Sequence, residues 1–308
     1  MIDALNHRII VINKDCGPTS FEVVAAFRRA AGIRKVGHTG TLDPLASGVL
    51  VLCTGRATRA VEHFMDLEKE YQFTIRLGVE TTTLDSEGDV VREVPCPDLD
   101  RDTVVEAVTS FAGEYRFTPP MYSALKYEGK RLYELARQGA TAPVPERTVN
   151  IYSIELLDVN LPCISCRVCC SRGTYVRSLA ADIGAKLGLP AHVTVLERTR
   201  IGDFRVEDAV PFARISSGDV GDIVSHGLEE ALGFLPGVVL SSSSKKALMV
   251  GGLPENADVI RVEGALTAGS VRLVDESGAL LAVGRRDENT PTALRPVDSF
   301  RLYVDNQA

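Results

Sequence analysis

The sequence lacks any long apolar run. No stretch approaches the roughly 20 apolar residues that a membrane-spanning helix requires. Residues 1–7 form neither a signal sequence nor an arginine-rich transit peptide, so we expect a cytoplasmic protein without membrane association. No internal repeat or low-complexity tract interrupts the 308 residues, a length that favours one large and one small domain.

Common nucleotide-binding and phosphate-transfer motifs are also missing. A phosphate-binding loop needs G-x-x-x-x-G-K-[ST], and no lysine follows the glycines at 37, 40 and 48. The dinucleotide fingerprint G-x-G-x-x-G does not occur. Leu45 stands two residues after Asp43, where phosphotransferases with an aspartyl intermediate commonly carry a second aspartate. The sequence therefore disfavours these three chemistries.

Seven cysteines make an odd number, and without a secretion signal we expect reduced thiols rather than disulfides. Four of them, at 163, 166, 169 and 170, follow C-x-x-C-x-x-C-C, a spacing compatible with zinc or an iron–sulfur cluster. They lie in an apolar, strand-like run, so we interpret them as small hydrophobic residues of a buried strand. A metal-dependent RNA enzyme is the alternative, and metal analysis of protein purified without chelators tests it.

The net charge of −7 taken alone argues against nucleic-acid binding, but the charges are unevenly distributed along the chain. Residues 1–60 carry eight Lys/Arg against four Asp/Glu, whereas residues 61–110 carry four against thirteen. Attraction of an anionic ligand depends on the local potential rather than on the total charge. Local basic surfaces on this acidic chain are therefore compatible with RNA binding.

One loop combines a single carboxylate with flanking glycines. Residues 37–48 read GHTGTLDPLASG and run into the apolar residues 49–52. Pro44 fixes its own φ and moves Asp43 into an extended conformation. We therefore expect Asp43 on a stiff loop that leads into a buried strand, where one acid can turn inward for catalysis. Aspartate before proline is also a common turn residue, which is the structural alternative.

A second segment combines tyrosines with cations. Residues 119–131 read PPMYSALKYEGKR, so two prolines impose an extended start before the aromatic and basic residues. Aromatic faces stack on bases while cations meet phosphates, and this composition suits RNA. An ordinary amphipathic helix with a proline-rich start is the alternative.

Arg177 stands near the start of a helix predicted after Gly173. A cation at a helix N-terminus is unfavourable to the helix dipole. The arginine therefore needs a partner, and a buried carboxylate is the obvious one.

The remaining pattern predicts a mixed fold with a β-rich end. Residues 19–22 form a capping box that opens a helix. Strand patterns occupy residues 8–13, 71–77, 149–159, 164–171 and 192–201. The pattern loosens between 211 and 237, and beyond it residues 270–274 and 279–283 alternate around a turn, which predicts a β-hairpin.

Together these stretches resemble the TruB-type tRNA pseudouridine synthases. Residues 37–48 are similar to the family's G-H-T-G-x-L-D-P-x-A-x-G signature, and residues 119–126 to its P-P-x-Y-S-A-x-K segment. Residues 173–179 are similar to its G-T-Y-x-R-S-L turn. The order and spacing agree across residues 1–205.

The resemblance implies a mixed α/β (α+β) pseudouridine synthase fold with a largely antiparallel sheet. The catalytic domain is expected at 1–235, with residues 119–147 as an arm that grips RNA. Residues 236–308 are expected to form a small C-terminal β-rich domain similar to PUA domains.

The implied reaction converts uridine 55 in the T-arm of tRNA to pseudouridine. The C1′–N1 bond breaks, the uracil turns, and the base is rejoined through C5. This isomerisation needs no net redox change and no energy input, so the resemblance implies no cofactor and no metal. The tRNA T-arm stem-loop is the expected partner, and we expect a monomer without an obligate protein partner.

The resemblance also implies roles for three central residues. Asp43 matches the catalytic aspartate, which attacks the sugar, attacks the base or removes a ribose proton. Arg177 matches the arginine that pairs with it and holds it ionised. Tyr71 matches the aromatic residue that stacks on the uracil, near enough to assist removal of the C5 proton.

Four further residues match the family's substrate-binding positions. Tyr175 and Leu196 match residues that line the uridine pocket. His38 matches the residue that enters the stem-loop as the target base swings out, because a stacked uridine is otherwise unreachable. Lys14 matches a lysine beside the pocket.

The chain departs from the family pattern at a few positions. Asp15 replaces the proline that commonly follows the lysine, and Glu197 stands where a basic residue is frequent. A non-catalytic alternative also remains, an RNA chaperone that uses the same groove without Asp43. Substitution of Asp43 by Ala separates the two, since a chaperone keeps its tRNA-refolding effect while an enzyme loses turnover.

Overall fold

The computed structural model describes residues 2–241, 248, 259–264, 269–286 and 294–296. The strands are β1 (Ile9–Lys14), β2 (Val36–His38), β3 (Ser47–Thr54), β4 (Lys69–Leu77), β5 (Val79–Thr81), β6 (Val90–Glu93), β7 (Gly113–Phe117), β8 (Lys126–Tyr127), β9 (Lys130–Arg131), β10 (Arg147–Asn160), β11 (Cys163–Cys170), β12 (Ala191–Ile201), β13 (Phe204–Arg205), β14 (Val210–Pro211), β15 (Gly237–Leu240), β16 (Val259–Glu263), β17 (Gly269–Val274), β18 (Leu280–Arg286) and β19 (Leu294–Pro296). The helices are α1 (Ser20–Ala31), α2 (Val61–Met65), α3 (Arg101–Thr109), α4 (Leu132–Arg137), α5 (Val176–Lys186), α6 (Phe212–Ser216) and α7 (Leu228–Ala231). Short 3₁₀ helices lie at Ile2–Leu5, Gly55–Ala60 and Val206–Asp208.

A ten-stranded sheet forms the centre of the molecule. Its strand order is β14-β1-β3-β12-β4-β11-β10-β7, with β2 paired to β3 and β13 paired to β12. Within the described strands of this sheet, β1 with β14 and β3 with β12 are the parallel pairs, and all others are antiparallel. The predicted mixed α/β fold with a largely antiparallel sheet is confirmed.

The central strands are buried on both faces, which explains their continuous apolar sequence. On β3, Leu50 and Leu52 point into one apolar cluster while Val49 and Val51 point into another. Helices α1, α5 and α6 contribute to the first cluster, where Phe27 is completely buried. At β1 and β3 the sheet therefore separates two cores, whereas β7 and β10 alternate buried and exposed residues and have one face in water.

Helix α1 begins and ends as the sequence predicts. Thr19 accepts a hydrogen bond from the Glu22 backbone N–H, and the Glu22 carboxylate accepts one from the Thr19 backbone N–H, so the capping box is confirmed. Gly32 ends the helix in a left-handed conformation, with φ of 66°. These caps fix where α1 starts, and this start contacts the loop that carries Asp43.

A second, five-stranded sheet follows in the order β16-β15-β17-β18-β19. The predicted hairpin is confirmed in β17 and β18, joined by a turn that Asp275 closes by accepting hydrogen bonds from the backbone of Ser277 and Ala279. Apolar residues of this sheet pack against the outward face of β1 and β3 in the second core. Much of the predicted segment 236–308 lies outside the described residues, so its boundary and its likeness to PUA domains stay predictions.

Two other segments are also described. The predicted cysteine strand is confirmed as β11, with Cys166 and Cys170 completely buried in the first core. The predicted arm at 119–147 contains the short hairpin β8–β9 and the helix α4. No helix among the described residues is long and apolar enough to cross a membrane.

Candidate active site

The loop that carries Asp43 is fastened to the sheet and to α1 through its backbone. Ser20, the first residue of α1, exchanges hydrogen bonds with the backbone N–H and carbonyl of Leu42, at 2.8 and 3.1 Å. The Pro44 carbonyl accepts from the backbone N–H of Gly17 at 2.8 Å and from Lys14 Nζ at 3.3 Å. Both neighbours of Asp43 are thus held, so the carboxylate is positioned by its loop.

Arg177 joins two carboxylates. Its Nε lies 2.9 Å from Asp43 Oδ2, and its Nη1 lies 3.4 Å from Asp85 Oδ2. The side chains of Arg177 and Asp85 are each 4% exposed, whereas that of Asp43 is 36% exposed. Within this trio, Asp43 is therefore the group that a substrate can reach.

The remaining donors of Arg177 are occupied by the backbone. Nη1 donates to the Thr83 carbonyl and Nη2 to the Tyr122 carbonyl, both at 2.8 Å. Asp85 is fixed in turn, since its Oδ1 accepts from the Thr83 hydroxyl and from the Glu87 backbone N–H. The cation at the start of α5 thus has the carboxylate partner that its unfavourable helix position predicts.

One wall of the site is built from β4 and β12. Antiparallel pairing places Arg198 opposite Tyr71 and Leu196 opposite Phe73. Because side chains alternate along a strand, Tyr71, Leu196 and Arg198 lie on the same face of the sheet. Burial raises the pKa of the Tyr71 hydroxyl, although the Arg198 guanidinium acts in the opposite direction.

A cavity lies between this wall, the Asp43 loop and the start of α5. Its lining includes Asp43, Tyr71, Tyr175, Arg177 and Leu196, which the sequence predicts to be site residues. Residues 123–125 of the predicted arm also line it. The Tyr175 ring packs against Phe117, with centroids 6.0 Å apart, so the side of the cavity is anchored in the apolar core.

Lys14 and His38 do not line this cavity. Lys14 is completely buried behind the loop, where Nζ donates to the carbonyls of Asp15, Pro18 and Pro44. Burial lowers the pKa of Lys14 to about 8. Lys14 therefore contacts the loop that carries Asp43 and not the cavity, and its role as a lysine beside the pocket stays a prediction.

His38 lies at the end of β2, partly buried. Its Nδ1 accepts a hydrogen bond from the Gly40 backbone N–H at 3.3 Å. Burial lowers the pKa of His38, and the Arg198 guanidinium lowers it further, which favours the neutral imidazole.

Several residues of the site have no signal in the sequence. Asp85 is one of thirteen acidic residues between 61 and 110, and nothing local distinguishes it. Lys69 and Arg198 also line the cavity. Burial lowers the pKa of Lys69 to about 8, and its Nζ donates to the carbonyls of Met65 and Leu67. Lys69 lies two residues before Tyr71 on β4, whereas only the pairing of β4 with β12 brings Arg198 to Tyr71.

Metal-binding residues were sought throughout the part of the chain that the structure describes. No group of three or more His, Cys, Asp or Glu side chains there is arranged to hold a metal ion. The four cysteines at 163–170 lie along β11, and three of them are buried.

Solved structures with a similar fold were found. The chain is similar to a protein in the crystal structure of a Cbf5-Nop10-Gar1 complex, with a TM-score of 0.75 and 26% identity, over 97% of this chain and 86% of that one. It is also similar to a protein in the crystal structure of the archaeal box H/ACA sRNP Nop10-Cbf5 complex, with a TM-score of 0.72 and 25% identity, over 96% and 87% of the two chains. The fold is therefore one already seen in a protein of an archaeal box H/ACA sRNP complex.

Sequence comparison gives the family. Residues 28–176 match the N-terminal domain of the TruB family of pseudouridylate synthases, and residues 177–220 match the C-terminal domain of tRNA pseudouridylate synthase B. The chain is 40% identical to tRNA pseudouridine synthase B of Clostridium perfringens, over 91% of this chain and 95% of the relative. It is 41% identical to that of Corynebacterium efficiens, over 90% and 95%. The chain belongs to the TruB family and is a pseudouridine synthase.

Proposed function

We propose that this enzyme isomerises uridine 55 in the T-arm of tRNA to pseudouridine, with Asp43 as its catalytic carboxylate. The observation that carries the proposal is Asp43 itself, an accessible carboxylate held by the buried Arg177 in a cavity that Tyr71 also lines. The relatives from Clostridium perfringens and Corynebacterium efficiens are named as tRNA pseudouridine synthases, which supports tRNA as the substrate.

The reaction balances without a redox partner. The C1′–N1 bond breaks, the uracil turns, and a C1′–C5 bond forms. C5 loses its proton and N1 gains one, so substrate and product have the same composition. The chain must supply a carboxylate, a surface for the uracil ring and shelter from water, and Asp43 and Tyr71, which line the cavity, offer the first two.

Each predicted site residue has a role in this proposal. Arg177 orients Asp43 through the ion pair between its Nε and Asp43 Oδ2. Tyr71 stacks on the uracil, and Tyr175 and Leu196 enclose the nucleotide. Lys14 acts through the loop, since it contacts the Pro44 carbonyl next to Asp43.

The target base must leave its stack before the reaction. We assign His38 to the position that the target base vacates in the stem-loop. A neutral imidazole suits stacking on the neighbouring bases better than a cation does. Residues 119–147 grip the RNA with tyrosines and cations, of which Tyr133 and Arg137 already form a cation–π pair at 5.6 Å. Residues 1–235 form the catalytic domain, and residues 236–308 form the smaller C-terminal domain.

Tritium release from C5 of labelled uridine in an unmodified tRNA transcript tests the proposal. The wild-type protein should release tritium, and Asp43→Asn should release none while it still binds the tRNA. A transcript with cytidine at position 55 is the site control and should also release none. If a folded wild-type protein binds the tRNA without releasing tritium, the enzyme assignment is wrong and the RNA chaperone alternative leads.

A further inference from the structure

Arg198 is a buried cation that has no carboxylate partner among the residues that the structure describes. The residue is 2% exposed, and none of the ion pairs found in the described residues includes it. Its guanidinium donates to the backbone carbonyls of Val49 at 2.8 Å, Gly40 at 3.1 Å and Thr41 at 3.4 Å, and it also makes a hydrogen bond with the neutral side chain of Tyr71. A charge in such a place is expensive to bury without an opposite charge.

Two arginines near Arg198 are paired, Arg177 in the site and Arg200 on the same strand outside the cavity lining. Arg200, two residues further along β12, lies 2.7 Å from Glu68 and 3.9 Å from Glu70. Arg177 has both Asp43 and Asp85. Arg198 therefore stands out as an uncompensated positive charge in a chain of net charge −7, and it lines the cavity.

The position of this charge is specific. Arg198 lies opposite Tyr71 in the β4–β12 register, on the wall where the proposal places the uracil ring. Lys69 lies on the same wall, and it too takes part in no ion pair among the described residues. Among the described residues that line the cavity, this wall thus contributes two cations and no carboxylate, whereas Asp43 belongs to the loop before β3.

We propose that Arg198 stabilises the negative charge that develops on the uracil when the C1′–N1 bond breaks. The electron pair of that bond stays with N1 and spreads to O2 and O4 of the ring. The new C1′–C5 bond then uses an electron pair of the ring, C5 releases its proton and N1 takes one up. This inference rests on the proposed function, because it places the uracil against Tyr71.

The geometry suits this role because the charge is preorganised. Three carbonyls fix the guanidinium before substrate arrives, so little reorganisation is needed as the uracil becomes anionic. The missing carboxylate is part of the arrangement, since a salt bridge would cancel the field that the uracil experiences. Electrostatic interactions in a site that excludes water are stronger than those in bulk water.

Two substrates that differ in the stability of the uracil anion test the inference. Fluorine at C5 withdraws electrons and stabilises that anion. We would measure single-turnover loss of the target nucleoside, by chromatography after nuclease digestion, with uridine or 5-fluorouridine at position 55. Arg198→Met should slow the reaction of uridine about 100-fold, the usual effect of removing one preorganised donor. The factor by which Arg198→Met slows the reaction should be at least 5-fold smaller with 5-fluorouridine than with uridine.

Arg198→Lys and Arg200→Met complete the design. Lysine keeps the positive charge but lacks the planar guanidinium with its paired N–H donors. Arg198→Lys should therefore react more slowly than wild type, and by nearly the same factor with the two substrates. Arg200→Met removes a paired arginine from the same strand and should leave the ratio of the two rates at its wild-type value. If Arg198→Met does not fold, Arg198→Gln takes its place in the same comparison.

Equal deficits of Arg198→Met with the two substrates would overturn the inference and leave Arg198 as a residue that only holds the loop. That result differs from failure of the proposed function, in which the wild-type protein itself converts no uridine.

Discussion

Gly48 lies directly against the backbone of Arg198. The two residues are partners in the parallel pairing of β3 with β12, and a Cβ added to Gly48 would lie 2.3 Å from the Arg198 carbonyl oxygen. Gly48 also has a φ of 99°, a conformation that favours glycine. The end of the Asp43 loop is thus fixed to the strand that carries Leu196 and Arg198.

Substitution of Gly48 by Ala should therefore disturb the site as well as the fold. We expect the free energy of unfolding to fall by about 3 kcal/mol or more, from backbone strain plus steric overlap. Gly113→Ala is the matched control, because Gly113 has a φ of 100° and no atom within 4 Å of an added Cβ. Urea unfolding of both variants measures the difference, and equal losses would show that the contact with Arg198 can relax.

Substitution of Asp85 by Asn should lower both stability and turnover. Removing one member of a buried ion pair costs about 3–5 kcal/mol, and Asp85 also orients Arg177 toward Asp43. We expect kcat to fall at least about 10-fold with a smaller change in KM, since Arg177 serves the carboxylate rather than RNA binding. Asp89→Asn, an exposed position in the same segment, should change neither quantity. Unaltered kcat in Asp85→Asn would mean that Asp43 alone orients Arg177.

Two substitutions of Tyr71 should separate stacking from proton removal. Tyr71→Phe keeps the ring, so tRNA affinity should stay within about twofold of wild type while tritium release from C5 falls. Tyr71→Leu removes the ring and should also weaken binding, because stacking of one base contributes about 1–3 kcal/mol. Filter binding and tritium release measure the two effects. Full tritium release by Tyr71→Phe would assign the C5 proton to another base.

Lys14 should make stability depend on pH above 8. Its pKa is about 8 in the folded protein against 10.5 for a free lysine, so between these values the unfolded chain binds more protons. Stability then rises with pH across this interval. The difference in unfolding free energy between wild type and Lys14→Met should be constant below pH 8 and should shift in favour of wild type from pH 8 to 10.5. Lys69 is present in both proteins, so its titration cancels. A difference that stays constant throughout would place the pKa of Lys14 near its ordinary value.

The sequence predicts features that depend on neighbours along the chain. The capping box of α1 and the strand β11 follow from residue types at short spacing, and the structure confirms both. The need of Arg177 for a partner follows from its place at a helix start. These elements could be predicted because the controlling interactions lie within a few residues.

Other parts of the site depend on packing between distant segments. Asp85 reaches Arg177 across 92 residues of chain, through a turn that bridges to Val193 on β12. Arg198 is separated from Tyr71 by 127 residues, and only strand pairing makes them neighbours. Composition alone predicts that an arginine in a strand is exposed to solvent. No neighbouring residue in the sequence indicates that Arg198 is buried without a carboxylate beside it. Asp15 and Glu197, the two positions at which the chain departs from the family pattern, do not alter this arrangement.

The second core joins the two sheets into one unit. Ile9 and Val11 of β1 and Val49 and Val51 of β3 pack with Val239 and other residues of the C-terminal sheet. A chain that ended at residue 235 would lose part of the cover of these side chains, because only the residues of this core that precede 235, such as Phe64 and Leu232, would remain. We therefore expect a single calorimetric transition for the whole protein. The strands on which the Asp43 loop depends would then lose their order together with the C-terminal sheet, so the catalytic domain would not survive as a detachable fragment.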